Sequence, residues 1–140
     1  RVLSARCEVK DQPPVAIEAG LLLYVSFKHG DTLKDVTKMA AKVAKLRIFS
    51  DADDKMNFSV VDEGKAILAI SQFTLEANTE KGHRPSFTNA MAPDDAQGMF
   101  EHFVHALTSY VNTVKKGFFQ EHMTIISNND GPVTVLLESR

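Results

Sequence analysis

Two apolar runs constrain this chain more than anything else in it. Leu21-Leu22-Leu23-Tyr24-Val25-Ser26-Phe27 and Ala66-Ile67-Leu68-Ala69-Ile70 show almost no polar alternation. Runs of this length and character are strands buried on both faces, so each needs cover above and below. Only two segments have the helical period to supply it. In residues 33–46, Leu33, Val36, Ala40 and Val43 recur at helical spacing, and in residues 94–111 so do Ala96, Phe100, Phe103, Leu107 and Val111.

Two helices can cover one face of a sheet. The other face must be covered by more strands: besides 65–75, which contains the second run, the pattern places strands at residues 1–9, 15–17, 47–49, 58–61, 114–119, 123–127 and 133–138. The expected fold is α/β: a three-layer helix/sheet/sheet sandwich with two main helices and mostly antiparallel strands. Asp31 or Thr32 is the expected N-cap of the first helix, and Asp94 and Asp95 favour the N-terminus of the second.

A chain of 140 residues is one domain's worth, 1–140, without repeats or low-complexity linkers. It has no long apolar run and no signal-peptide pattern, so no membrane partner is expected. The lone Cys7 can make no internal disulfide, which suits a reducing cytoplasm. Net charge is −2, so a nucleic-acid partner must be met by a local patch. Two patches qualify. Lys34, Lys38, Lys42 and Lys45 form a stripe, ordinarily a solvated helix face and alternatively a phosphate contact. Lys81, His83 and Arg84 are a denser cluster in the polar segment 76–93, and long loops in compact domains are often functional.

The familiar catalytic words are missing. There is no GxSxG, HExxH, paired CxxC, GxGxxG or Walker loop. The acidic run Asp51-Ala52-Asp53-Asp54 lacks the Gly and the final Glu of a calcium loop and reads as a turn. His102 and His105 have no third ligand nearby and read as structural, so no metal or other cofactor is expected. Cys7 reads as a small core residue. Ser71 and Thr74 carry hydroxyls, yet no base stands near either in sequence. What remains is two segments with unusual backbone demands. Ser71-Gln72-Phe73-Thr74-Leu75 follows a buried strand, where open sheets place their sites, and Gly131-Pro132 interrupts a strand-like stretch.

Those two segments, extended to Asn129-Asp130-Gly131-Pro132-Val133-Thr134, closely resemble the two signature motifs of the D-aminoacyl-tRNA deacylase (D-tyrosyl-tRNA deacylase) family. Arg1-Val2, Gly20-Leu21-Leu22, Leu46-Arg47-Ile48-Phe49-Ser50-Asp51, Lys55-Met56-Asn57 and Lys81-Gly82-His83-Arg84-Pro85-Ser86-Phe87 carry the resemblance over nearly the whole chain. Family members have a few residues before the position of Arg1, so the first strand is expected to be truncated. In Gly117-Phe118-Phe119-Gln120-Glu121-His122-Met123, Gln120 and His122 depart from the family's smaller residues, which bears on packing near the adenosine end.

The resemblance implies a cytoplasmic homodimer that hydrolyses the ester between a D-amino acid, or glycine mischarged on tRNA-Ala, and the terminal adenosine of tRNA. It would be a chiral proofreading step that uses no cofactor. It implies a cis Gly131-Pro132 peptide whose carbonyl oxygens enter the partner's site and exclude L side chains. Arg1 would hold that loop, and Met123 would lie in the substrate pocket. Ser71, Gln72, Phe73 and Thr74 would form the catalytic pocket, with main-chain N–H groups near Phe73 and Thr74 polarising the ester. Lys81 and Arg84 would meet tRNA phosphate. Three other readings stay in view: a non-catalytic RNA-binding relative, a deacylase of shifted specificity, and a general small-ester hydrolase. The intact Gln72-Thr74 and Gly131-Pro132 segments disfavour the first two, and the missing nucleophile and base disfavour the third.

Overall fold

Strand β6 (Ala66–Ser71) is buried on both sides, and the rest of the molecule is arranged around it. The computed structural model describes residues 1–139. β6 lies parallel to β3 (Gly20–Val25), from Gly20↔Ala66 to Val25↔Ser71. On its other edge it lies parallel to β7 (Val114–Lys116). β1 (Val2–Glu8) pairs antiparallel with β8 (Thr124–Asn129), with β2 (Val15–Ile17) and, at the single position Val2↔Gly20, with β3. These strands make one six-stranded mixed sheet in the order β2-β1-β3-β6-β7, with β8 on the β1 branch.

The alternation hidden in the apolar run now has a meaning. Ile67 and Ala69 pack into a core shared with the two helices, α1 (Leu33–Lys45) and α2 (Pro93–Thr108), through Val36, Ala40, Val43, Phe100, Phe103 and Leu107. Leu68 and Ile70 point the other way, into a second core with Val2, Ala5, Cys7 and Ile17. A strand with an apolar core on each face cannot alternate with polar residues. Each large aliphatic side chain buried this way contributes roughly 1.5–3 kcal/mol. Gly20 is fixed by close approach, because a Cβ there would lie 1.9 Å from the Ala66 carbonyl oxygen.

Helix α1 starts at Thr32, whose Oγ1 accepts from the Asp35 N–H while the Asp35 carboxylate accepts from the Thr32 N–H. That reciprocal cap decides between the two expected candidates. Pro93 opens α2 at a position that needs no N–H donor.

The hydrogen bonding gives one continuous sheet, and the only separate sheet among the described residues is the two-stranded β4 (Phe49–Ser50) with β5 (Met56–Phe58). Several local expectations are corrected. Leu33 is outside the core at 53 % exposure. The long strand expected over 65–75 stops at Ser71 and passes into a 3-10 turn, Phe73–Glu76. No strand forms at 133–138. The polar segment 76–93 is tied down at both ends. Asn78 and Ser86 exchange two main-chain hydrogen bonds at 2.7 and 2.9 Å, and Met91 N–H donates to Phe27 O at 2.9 Å.

Candidate active site

The 3-10 turn Phe73–Glu76 begins where β6 ends, so the first motif sits at the carboxyl end of the most deeply buried strand. Its entry is fixed by Gln72 N–H donating to Val25 O at 2.8 Å. Within the turn, Leu75 N–H donates to Gln72 O and Ala77 N–H to Thr74 O, both at 3.2 Å. The N–H groups of Phe73 and Thr74 donate to no acceptor among the described residues. Two adjacent unused donors at the start of a helical turn are suited to a developing negative charge.

The side chains nearest to them, on Ser71, Gln72, Phe73 and Thr74, are uncharged types, and Glu76 at the end of the turn is the acidic one. Gln72 Nε2 donates to Thr74 Oγ1 in a short hydrogen bond. Ser71 is half-buried and Thr74 exposed, and neither is hydrogen-bonded to a histidine, lysine or carboxylate. Phe73 is exposed and packs edge-on against Phe87, with centroids 5.2 Å apart. Cys7 is fully buried, and burial pushes its thiol up, away from the reactive thiolate. His102 and His105 are both exposed, and no group of three or more potential ligands that could hold a metal occurs among the described residues.

The second motif is a loop strapped to the start of the chain. The Arg1 nitrogen donates to Val133 O at 2.9 Å, and Asp130 N–H donates to Arg1 O at 2.9 Å. The Arg1 guanidinium donates through Nη1 to Ile48 O at 2.9 Å, while its Nε lies 3.1 Å from Asp130 Oδ2 as an ion pair. Asn129 Nδ2 donates to Thr134 Oγ1 at 3.2 Å across the base of the loop. Between these ties the Gly131–Pro132 peptide is cis, and Gly131 has φ +122°.

No hydrogen bond joins the Ser71–Thr74 segment to Gly131–Pro132 within the chain. A cleft of about 670 Å³ is lined by Leu75 and Glu76 on one side and Arg1, Asn129, Val133 and Thr134 on the other, and its lining includes neither Ser71–Thr74 nor Gly131–Pro132. Met123 is partly buried against the second core. Lys81 and Arg84 are exposed in the loop closed by Asn78 and Ser86, and neither forms an ion pair among the described residues. Sequence reading misses Ser26 and Glu76, whose side chains meet at 2.5 Å beside the turn. A serine at the end of an otherwise apolar strand is the signal that could have found them.

Fold and candidate site together define an α/β domain of two helices and a mixed sheet, with a turn at the carboxyl end of its central strand and a cis Gly-Pro loop. The family description D-Tyr-tRNA(Tyr) deacylase matches residues 1–138, and the chain belongs to that family; it is a hydrolase of this kind. A D-aminoacyl-tRNA deacylase of Alkaliphilus metalliredigens is 40% identical over 140 residues, covering 100% of this chain and 94% of the relative. Another, of Chloroherpeton thalassium, is 46% identical, covering 99% of this chain and 92% of the relative. Among solved structures, a c-Myc DNA unwinding element binding protein matches with TM-score 0.93 at 36% identity, covering 100% of this chain and 95% of the other. A probable eukaryotic D-amino acid tRNA deacylase shares the fold at TM-score 0.80 and 16% identity, covering 94% and 91%.

Proposed function

We propose that this chain hydrolyses the ester joining a D-amino acid to the terminal adenosine of tRNA, and that it also clears glycine from tRNA-Ala. The reading is carried by one conjunction. The family match runs through residues 1–138, and the Gly131–Pro132 loop within it is held by Arg1 from both sides.

In this reading, Phe73 and Thr74 N–H groups polarise the ester carbonyl and stabilise the oxyanion that forms when water attacks. The ester is activated, so an oriented water and two donors suffice without a protein nucleophile. Gln72 orients the turn through Thr74. Gly131 and Pro132 present carbonyl oxygens that accept from the substrate ammonium and leave no room for an L side chain. Met123 backs the pocket.

The loop is supplied by the partner subunit of a homodimer. This accounts for the absence of any hydrogen bond between the two motifs inside one chain. Lys81 and Arg84 hold the acceptor end by its phosphates. The sheet, curled so that β1 covers β6, supplies two layers and the helices the third. The reaction is a proofreading step of translation and belongs in the cytoplasm; no helix is long and apolar enough to cross a membrane among the described residues. The DNA element in the name of the 36%-identical structure is a property of that protein. At net charge −2, nothing at the level of the whole chain points to a duplex partner.

The test is a side-by-side deacylation assay with D-tyrosyl-tRNA, L-tyrosyl-tRNA and glycyl-tRNA-Ala. The D ester and the glycyl ester are expected to be cleaved and the L ester spared. Equal rates on the two tyrosyl enantiomers would overturn the reading.

A further inference from the structure

The turn that carries the Phe73 and Thr74 donors has one side-chain hydrogen bond to the rest of the described chain. Ser26 Oγ donates to Glu76 Oε1 at 2.5 Å, in a partly buried position fifty residues apart in sequence. The other side-chain bond in the segment, Gln72 to Thr74, is internal to it. Ser26 directly follows β3, and the Val25 carbonyl just before it receives the Gln72 N–H at 2.8 Å. The two ends of the turn are therefore fastened to neighbouring residues at one strand end. Glu76 closes the turn, and Ala77 N–H donates back to Thr74 O at 3.2 Å.

We propose that Ser26 and Glu76 are positioning residues for the hydrolytic turn, fixing the angle at which the Phe73 and Thr74 N–H groups face the ester. The proposal rests on the deacylase reading above. Neither side chain meets the reacting atoms. A hydroxyl held by a carboxylate is a charge-assisted bond, stronger than a neutral pair. With it gone, the end of the turn loses its tie to the end of β3, keeping the Phe73–Phe87 contact and the Asn78–Ser86 pair beyond it, and its donors lose the fixed alignment on which oxyanion stabilisation depends. Ser26 and Glu76 both line the cleft that also receives Arg1 and Val133, so the fastening lies at the cleft wall next to the turn.

Single-turnover and steady-state hydrolysis of D-tyrosyl-tRNA by Ser26→Ala, Glu76→Ala, the double variant and Glu76→Gln tests this. Each alanine variant is expected to lower kcat by about tenfold with KM within about twofold, the loss of one charge-assisted hydrogen bond. The double variant should be no worse than either single one. Glu76→Gln retains an acceptor for Ser26 and should keep most of kcat. Multiplicative losses, or a loss in KM alone, would overturn the proposal. Backbone 15N relaxation of Phe73 and Thr74 gives an answer that does not depend on activity: order parameters should fall in Glu76→Ala and recover in Glu76→Gln. Unchanged order parameters would overturn the positioning role. A wild type inactive on D-tyrosyl-tRNA, with the relaxation result as expected, would instead reject the deacylase reading.

Discussion

Arg1 and Asp130 hold each other twice, once through the main chain and once through side chains. Asp130 N–H donates to Arg1 O at 2.9 Å, and Arg1 Nε stands 3.1 Å from Asp130 Oδ2. The same arginine reaches Val133 O and Ile48 O, so it braces both flanks of Gly131–Pro132 against the approach to β4.

Arg1→Ala should therefore cost stability and activity together. The side chain is 12% exposed, and its loss leaves the Ile48 carbonyl without its charged donor. Urea unfolding should show a loss of about 1–3 kcal/mol. Arg1→Lys should not restore it, because a single ammonium cannot serve Ile48 and Asp130 in the fork geometry of a guanidinium. Asp130→Asn should cost under about 1 kcal/mol, since that carboxylate is 41% exposed and screened by solvent.

Gly131→Ala should disturb the loop directly. A Cβ at that position would lie 2.8 Å from Val133 Cγ2, 3.0 Å from Val133 N and 3.3 Å from Arg1 Nη2, at a φ of +122° that L residues rarely adopt. The expected result is loss of D-aminoacyl-tRNA hydrolysis or admission of L substrates, read by paired assays on the two enantiomers. Unaltered rate and selectivity would separate this glycine from chiral choice.

Thr74→Ala should keep substantial activity. The Thr74 hydroxyl is bonded to the Gln72 amide, which cannot take its proton. Quenched reactions analysed by mass spectrometry should reveal no aminoacyl ester on Thr74 or Ser71. Capture of such an adduct would restore a nucleophilic mechanism.

Lys81→Ala with Arg84→Ala should raise KM and flatten the salt dependence. Two lost phosphate contacts to a single strand should reduce the slope of log K against log salt by about 1.4. A slope that does not change places the phosphate contacts elsewhere, with the exposed Lys34–Lys45 stripe the next surface to neutralise.

Sedimentation should give a dimer at micromolar concentration, with an interface of at least about 1,200 Å² in total. Val135 and Leu136, 49% and 78% exposed just beyond the loop, are surfaces such an interface can cover. An active species of 15.5 kDa would refute the shared site.

The parts of this molecule legible in its sequence are those set by burial and local chemistry. The helix over 33–46 announces itself through Val36, Ala40 and Val43, which are all buried, and Thr32 is one of the two caps its local sequence allows. The end of the strand at Ser71 is less legible. Phe73 and Leu75 look like strand residues, yet both are exposed, because the turn lifts them off the sheet. The same reasoning fails at 133–138, where Val135, Leu136 and Leu137 suggest a strand and none forms in the chain. Pairing across strands depends on partners distant in sequence. Hence the single junction Val2↔Gly20, which makes one sheet out of two expected layers, leaves no local mark beyond a glycine.

β6 carries an apolar core on each face, which sets the tempo of everything attached to it. Its amides should exchange with solvent only when the whole molecule opens, whereas exposed loops exchange through small local excursions. The turn after Ser71 thus starts from an anvil. In the deacylase reading proposed above, an arriving acceptor end would meet a turn already seated on that strand, so most of the accommodation would fall on its single-stranded terminus and discrimination would happen on contact.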